Sequence, residues 1–284
     1  MTTDSVPPRE APLPHGVRLH VRYDGTDFHG WQYQDGLRTV QGELEKAIAK
    51  MAGPETSRVR GASRTDSGVH AAGQVAAFDC VRLIAPHGWQ MGLNGYLPSD
   101  VAVALAEPCA PDYQPRFDAF EKTYRYRVYC GRTRDPLRCR HAWYVGPGLA
   151  RKDMRERTDD AGSYLDLGAM DAAAQHLEGE HDFRAFRSAD DERVSTIRRL
   201  ESVRVLRGPE PGDITVEVRG NAFMKNMVRI LAGTLVEIGR TRMSPDIIPS
   251  LLGPEARRED GGPTAPAHGL TLMGMRLGRA SLPR

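Results

Sequence analysis

The sequence has only four cysteines, and no two of them stand in a CxxC pair. Zinc ribbons and the disulfide frameworks of small secreted proteins need close cysteine pairs, so neither class fits. No apolar run approaches the ~18 residues that a membrane-spanning helix requires. Glycine spacings that match a phosphate loop or a dinucleotide fingerprint are also missing. With 40% hydrophobic and 27% charged residues, the sequence indicates a folded protein of the reducing cytoplasm.

Basic residues are concentrated in one stretch although the net charge is only +2. Between residues 122 and 140 there are seven basic residues and a single acid, Asp135. The basic residues are Lys122, Arg125, Arg127, Arg132, Arg134, Arg138 and Arg140, with Tyr124, Tyr126 and Tyr129 interleaved. Guanidinium groups neutralise phosphates and aromatic rings stack on bases, which would suit RNA. A solvated edge strand protected by arginines explains the pattern equally well.

The first half of the chain alternates strand and helix patterns. Residues 17–23 alternate polar and apolar side chains as a strand does, and Thr39 can cap a helix that ends at Gly53. Further strands are predicted at 74–80 and 101–106, with a short helix at 86–94. We therefore predict an N-terminal α+β domain at residues 15–112.

The second half repeats this mixture. Strands are predicted at 122–130, 203–206, 214–218 and 270–277, and helices at 167–177 and 223–238. Residues 113–284 are expected to form the second domain. The predicted fold class is α+β, with two similar domains whose largely antiparallel sheets are flanked by helices.

Three segments are expected to lie outside these domain cores. Residues 1–14 contain four prolines and no apolar run, which predicts a flexible leader rather than a signal peptide. Residues 150–163 show no apolar period, and residues 253–266 are rich in glycine, proline and charge. Both are predicted to be mobile loops.

Two other clusters are weak candidates for chemistry. His176 and His181 are five residues apart, which does not put them on one helical face, and Gly179 between them indicates a helix end. No metal site is predicted there. Cys139 lies among basic residues without a defined base, so it is interpreted as part of the basic surface.

Asp66 lies in a short polar loop, residues 61–71, between two predicted strands. Catalytic groups often occupy such loops. However, Asp-Ser-Gly is also ordinary turn chemistry, so the loop alone makes Asp66 a weak candidate.

Motif blocks across nearly the whole chain change that assessment. They occur in order at residues 23–32 (YDGTDFHGWQ), 39–41, 64–71 (RTDSGVHA), 94–98 (NGYLP), 116, 122–126 (KTYRY), 181–183, 220–223, 227–229 and 265–270. The set resembles the bacterial tRNA pseudouridine synthase A family. The departures are few: Met224, Lys225 and Asn226 follow Phe223, and Ser67 stands where alanine is common.

The resemblance implies an isomerase that converts uridine to pseudouridine at positions 38, 39 and 40 of the transfer RNA anticodon stem-loop. The N1–C1′ bond breaks, the uracil rotates, and C5 joins C1′. No cofactor is needed because the uracil is retained. The resemblance also implies a homodimer that binds the anticodon arm of transfer RNA, with a catalytic cleft between the two domains.

The same resemblance assigns the site residues. Asp66 would be the catalytic carboxylate, Arg229 would pair with it, and Tyr124 would lie against the uracil. Arg64 would stand beside the flipped nucleotide. Further RNA contacts are expected from the basic residues Arg116, Lys122, Arg125 and Arg127.

Each of these roles has a physical requirement or a plainer alternative. Burial would raise the pKa of Asp66, and a guanidinium partner would oppose that rise. Without the family, Arg229 could be a surface arginine, and Tyr124 and Tyr126 could both be core residues; we predict a core position for Tyr126. That Tyr124 accepts the C5 proton is a hypothesis, and attack by Asp66 or proton abstraction at the sugar both remain open.

Two other function classes fit the sequence less well. A non-catalytic RNA-binding protein could use the same basic surface but would have no use for a buried pair of Asp66 and Arg229. A metal-dependent nuclease needs clustered carboxylates, which the sequence lacks.

Overall fold

The computed structural model describes residues 13–146 and 164–278. The predicted leader, except for its last two residues, and the predicted loop at 150–163 lie outside the described residues. Within them, no helix is both long enough and apolar enough to cross a membrane.

Strands and helices alternate along both halves of the described chain. The strands are β1 His15–Tyr23, β2 Arg60–Gly61, β3 His70–Cys80, β4 Val101–Cys109, β5 Glu121–Cys130, β6 Trp143–Val145, β7 Gly179–Asp182, β8 Ile197–Arg207, β9 Asp213–Gly220 and β10 Leu270–Arg276. The helices are α1 Val40–Ala52, α2 Pro86–Tyr96, α3 Pro115–Asp118, α4 Leu167–Gln175, α5 Met227–Gly239 and α6 Ile247–Leu251. The α+β class is confirmed, as are the predicted longer strands and helices.

All ten described strands belong to one sheet, in the order β4-β1-β3-β10-β5-β9-β8-β7, with β2 beside β3 and β6 beside β5. Pairing is antiparallel except between β10 and β3 and between β5 and β6. The expectation of separate sheets is therefore wrong, because β10 pairs with β3 on one side and β5 on the other. The division into domains at residue 112 stays a prediction, and the sheet crosses it.

Helix α5 is the central buried helix. Eleven of its 13 residues are buried, as expected for a helix that is apolar on nearly every side. The prediction that it begins at Phe223 is wrong. Asn226 adopts a left-handed backbone conformation with φ 59°, so the chain turns there and the helix begins at Met227.

Residues 253–266, predicted to be a mobile loop, pack against α5. The backbone N–H of Gly262 donates to Thr234 Oγ1 at 2.9 Å, and that of Ala265 donates to the Arg229 carbonyl at 3.1 Å. Ala265 is buried, and Arg258 Nη1 donates to the Gly262 carbonyl at 2.9 Å. These contacts place the segment beside α5, and its mobility stays a prediction.

Candidate active site

The loop that carries Asp66 joins β2 to β3 and is tied to the segment that follows β1. Trp31 N–H donates to the Thr65 carbonyl at 3.0 Å, and Ser67 Oγ donates to the Phe28 carbonyl at 3.1 Å. The Val69 N–H donates to the Asp66 carbonyl at 3.1 Å, which closes the turn. The loop is therefore held by its bonds to Phe28 and Trp31 and by its own turn, and Asp66 is half-buried.

The carboxylate of Asp66 faces the beginning of α5. The backbone N–H of Asn226, the residue that caps this helix, helps to stabilise its negative charge. Burial raises the pKa of Asp66, while the charges of Arg229, Lys225 and Arg193 and the Asn226 N–H oppose that rise. A helix N-terminus also attracts negative charge. The surroundings thus favour ionisation, although burial outweighs them in the net shift.

Arg229 lies near Asp66 but does not form the direct ion pair that was predicted. Its guanidinium is held elsewhere: Nε donates to the Ala265 carbonyl at 2.7 Å and Nη1 donates to Asn226 Oδ1 at 2.6 Å. Its charge is nevertheless the largest influence opposing the rise in the Asp66 pKa. The predicted pairing is therefore replaced by attraction over a longer distance.

Tyr124 lies on the central strand β5, close enough to Asp66 to be affected by its charge. Its ring packs edge-on against Phe223, with ring centres 5.0 Å apart, and its hydroxyl shares a 3.1 Å hydrogen bond with Ser63 Oγ. Burial raises the pKa of Tyr124 to about 12, and the Asp66 charge adds to that rise. Tyr126, by contrast, is a core residue as predicted, and its hydroxyl donates to the Pro266 carbonyl at 2.8 Å.

Comparison with known proteins shows which family the chain belongs to. A family model described as tRNA pseudouridine synthase matches residues 19–118 and 173–276, which include Asp66 and Arg229. The chain belongs to the tRNA pseudouridine synthase family. The prediction from the motif blocks is confirmed, and the protein is an isomerase.

Relatives of this synthase match over most of their length. The tRNA pseudouridine synthase A of Solidesulfovibrio magneticus is 43% identical over 266 residues, covering 92% of this chain and 91% of the relative. Those of Maridesulfovibrio salexigens and Geobacter sulfurreducens are each 40% identical over 92% of this chain, covering 90% and 99% of their own lengths.

The basic residues of strand β5 lie on both faces of the strand. Lys122 shares the face of Tyr124, because alternate strand residues point the same way. Burial and the charges of Arg116 and Arg193 lower the pKa of Lys122 to about 8. Arg125 and Arg127 lie on the opposite face, where Arg125 Nη2 donates to Glu217 at 2.8 Å. The structure therefore does not bring these two arginines to Asp66.

Two other predicted RNA-binding residues are exposed. Arg64 lies between the buried Ser63 and Thr65 and points outward. Arg116, at the start of α3, is also exposed, and its charge reaches Lys122. Both positions leave a guanidinium available to a ligand that approaches from solvent.

Arg193 is a site residue that the sequence interpretation missed. Its Nη1 donates to the Phe223 carbonyl at 2.7 Å, which sets it against the aromatic pair of Phe223 and Tyr124. Its charge acts on Asp66, Tyr124 and Lys122. Lys225 and Asn226 were likewise passed over as departures from the family pattern. Arg193 lies in a charged stretch with no periodicity, so no local signal distinguished it.

A cluster of Asp24, His70 and His141 is the group among the described residues that could hold a metal ion. However, Gly25 N–H donates to His70 Nδ1 at 3.0 Å, and His70 Nε2 lies 3.0 Å from the His268 carbonyl. Both ring nitrogens of His70 are thus occupied by the backbone. Burial lowers the pKa of His70, as suits a neutral structural histidine.

Proposed function

We propose that this synthase converts uridine to pseudouridine at positions 38, 39 and 40 of the transfer RNA anticodon stem-loop, with Asp66 as the catalytic carboxylate. The observation that carries the proposal is the half-buried Asp66 facing the N-terminus of α5 within reach of three cations. The names of the relatives, tRNA pseudouridine synthase A, support the substrate class.

The chemistry requires a negative charge next to the sugar. When the N1–C1′ bond breaks, its electron pair leaves with the uracil and positive charge develops at C1′. An adjacent carboxylate can stabilise that charge or form a bond to C1′. After rotation, C5 bonds to C1′ and gives up its proton, while N1 gains one, so atoms and charge balance. Asp66 serves either route in its ionised form, which the charges of Arg229, Lys225 and Arg193 favour against the effect of burial.

Tyr124 and Arg64 supply the contacts with the nucleotide. A base in a stem must leave the stack before its sugar can be reached. The Tyr124 ring then lies against the uracil, and the exposed Arg64 helps to fill the space left in the stem. The edge-on contact with the partly buried Phe223 keeps the Tyr124 ring from rotating away.

Lys122, Arg116 and Arg193 bind the RNA backbone on the same side. Among the described residues, Lys122 and Arg116 have no carboxylate partner, so phosphate oxygens can pair with them. A cleft between the proposed domains at 15–112 and 113–284, a homodimer and a cytoplasmic location complete the proposal, and these rest on the family resemblance.

Asp66→Asn tests the assignment. The change keeps the shape of the side chain and removes its charge, so we expect normal RNA binding and a loss of turnover of about 1,000-fold. Unmodified transfer RNA is incubated with each protein, pseudouridine is mapped, and binding is measured by filter retention. Asp35→Asn, at an exposed position, is the matched control and should behave as wild type. Full turnover by D66N would remove Asp66 from the mechanism.

A further inference from the structure

A buried polar network lies behind the loop that carries Asp66. Its members are Tyr23, Ser63, Thr65, Gln74 and Tyr124, and all five are buried. Gln74, on β3, is fully buried and lies at the centre of the network. A buried amide is tolerated only where its hydrogen bonds are made.

The Gln74 amide binds both backbone groups of Ser63. Nε2 donates to the Ser63 carbonyl at 2.7 Å, and Oε1 accepts from the Ser63 N–H at 3.3 Å. Oε1 also accepts from Val75 N–H at 3.1 Å. One side chain therefore fixes the position and orientation of the peptide groups three residues before Asp66.

The network also holds the residues on either side of Arg64. The hydroxyls of Tyr23 and Thr65 share a 2.8 Å hydrogen bond, and Gln74 Nε2 lies 3.5 Å from the Tyr23 hydroxyl. The side chains of Ser63 and Thr65 are thus held inside the protein, and Arg64 between them points to solvent. Asp66, which follows Thr65, is directed toward α5.

Ser63 extends the network to β5. Its hydroxyl shares the 3.1 Å hydrogen bond with the Tyr124 hydroxyl, so the Asp66 loop and the Tyr124 side chain are linked through one residue. A displacement of Ser63 would move Asp66 and release Tyr124 together, because both depend on the same anchor.

We propose that Gln74 and Ser63 are positioning residues of this synthase, which fix Asp66 and Tyr124 relative to each other through the Ser63 backbone and hydroxyl. The inference rests on the proposed function, because it assigns the network a role in the step that Asp66 carries. Neither residue touches the substrate, so their removal should lower kcat and leave KM for transfer RNA unchanged.

Gln74→Glu is the discriminating variant. It keeps the shape of the side chain but puts an oxygen where Nε2 faces the Ser63 carbonyl. Burial raises the pKa of a carboxylic acid at such a site, and the protonated acid can again donate to that carbonyl. At pH 8.5 the ionised acid cannot donate to the Ser63 carbonyl. We therefore expect kcat about ten-fold or more below wild type, which corresponds to the loss of one hydrogen bond. Toward pH 6 the ratio to wild type should recover.

The other titratable groups do not imitate this recovery. Burial raises the pKa of Tyr23 and Tyr124 above the tested range, and titration of Asp66 affects wild type and variant alike. Gln74→Leu cannot regain a donor, so its kcat ratio should stay low at every pH. Gln90→Glu is the matched control. Gln90 lies on α2, outside the network, and its Nε2 also donates to a backbone carbonyl, that of Ala104, at 2.7 Å. The kcat of Q90E should equal that of wild type.

Ser63→Ala tests the second link. It removes the hydroxyl that holds Tyr124, and kcat should fall about ten-fold with KM unchanged. Thermal unfolding and RNA binding of every variant establish that it is folded. If wild type forms no pseudouridine, the proposed function fails and this inference falls with it. If wild type is active while Q74E matches it at every pH, or S63A keeps full kcat, the positioning role is wrong and the proposed function stands.

Discussion

Replacing Lys122 with methionine should stabilise the protein at neutral pH while weakening its hold on RNA. Lys122 is largely buried and, among the described residues, has no hydrogen-bond or carboxylate partner. Burial and the nearby charges of Arg116 and Arg193 lower the pKa of Lys122 from 10.5 to about 8. Each pKa unit corresponds to about 1.4 kcal/mol, so the buried charge lowers the free energy of unfolding by about 3 kcal/mol at pH 7.

The sign of the pH dependence follows from the lowered pKa. Below pH 8 Lys122 is charged in both states, and the folded state bears the full penalty. Between about pH 8 and pH 10.5 the folded state loses its proton first, so the unfolded state binds more protons and the free energy of unfolding rises with pH. Above that range the penalty is gone.

Urea unfolding of wild type and K122M at pH 7 and pH 10 measures this effect. The stability gained by K122M should be about 2 kcal/mol larger at pH 7 than at pH 10, because at pH 10 most of the penalty has disappeared. Lys46→Met is the control, since Lys46 is an exposed lysine whose substitution should give a difference that does not change with pH. If the difference in unfolding free energy between K122M and wild type is the same at both pH values, Lys122 does not carry an unpaired, buried charge.

Two further substitutions test the RNA surface and the packing of residues 253–266. Arg193→Ala should reduce the slope of log affinity against log salt by about 0.7–0.9, the loss of one phosphate contact, in binding measured at several salt concentrations. Arg242→Ala, beyond the far end of α5, should leave that slope unchanged. Gly233→Ala would drive a methyl group into the Pro263 carbonyl, and urea unfolding should give a loss of about 1–3 kcal/mol. If the urea midpoint of G233A equals that of wild type, residues 253–266 move away from α5 without a measurable loss of stability.

Local patterns predicted the individual elements well. The alternation at residues 17–23 became β1, and Thr39 caps α1 with Oγ1 accepting from Gly42 N–H at 3.2 Å. Strand β5 also follows its pattern, with Tyr124 and Tyr126 on the buried face. These elements were predictable because side-chain periodicity and capping depend on neighbours in the sequence.

The assembly of those elements was not predictable in the same way. Strand β10 lies in the middle of the sheet, and no pattern within it indicates that its partners are β3 and β5. The role of Arg193 depends on Phe223, thirty residues away in the sequence, and that of residues 253–266 depends on Thr234. Asp66 itself was found through the family resemblance, because its own turn is ordinary.

Among the described residues, no cation forms a direct ion pair with Asp66, and this has a chemical advantage for the proposed reaction. A carboxylate bound bidentately by arginine has its lone pairs occupied, so it is a poor partner for a developing positive charge at C1′. Here Arg229 is held by Ala265 and Asn226, and Arg193 by the Phe223 carbonyl, while Lys225 pairs with Asp190. Their charges still favour the ionised form of Asp66. The cations thus act at a distance, which leaves the carboxylate oxygens available to the sugar.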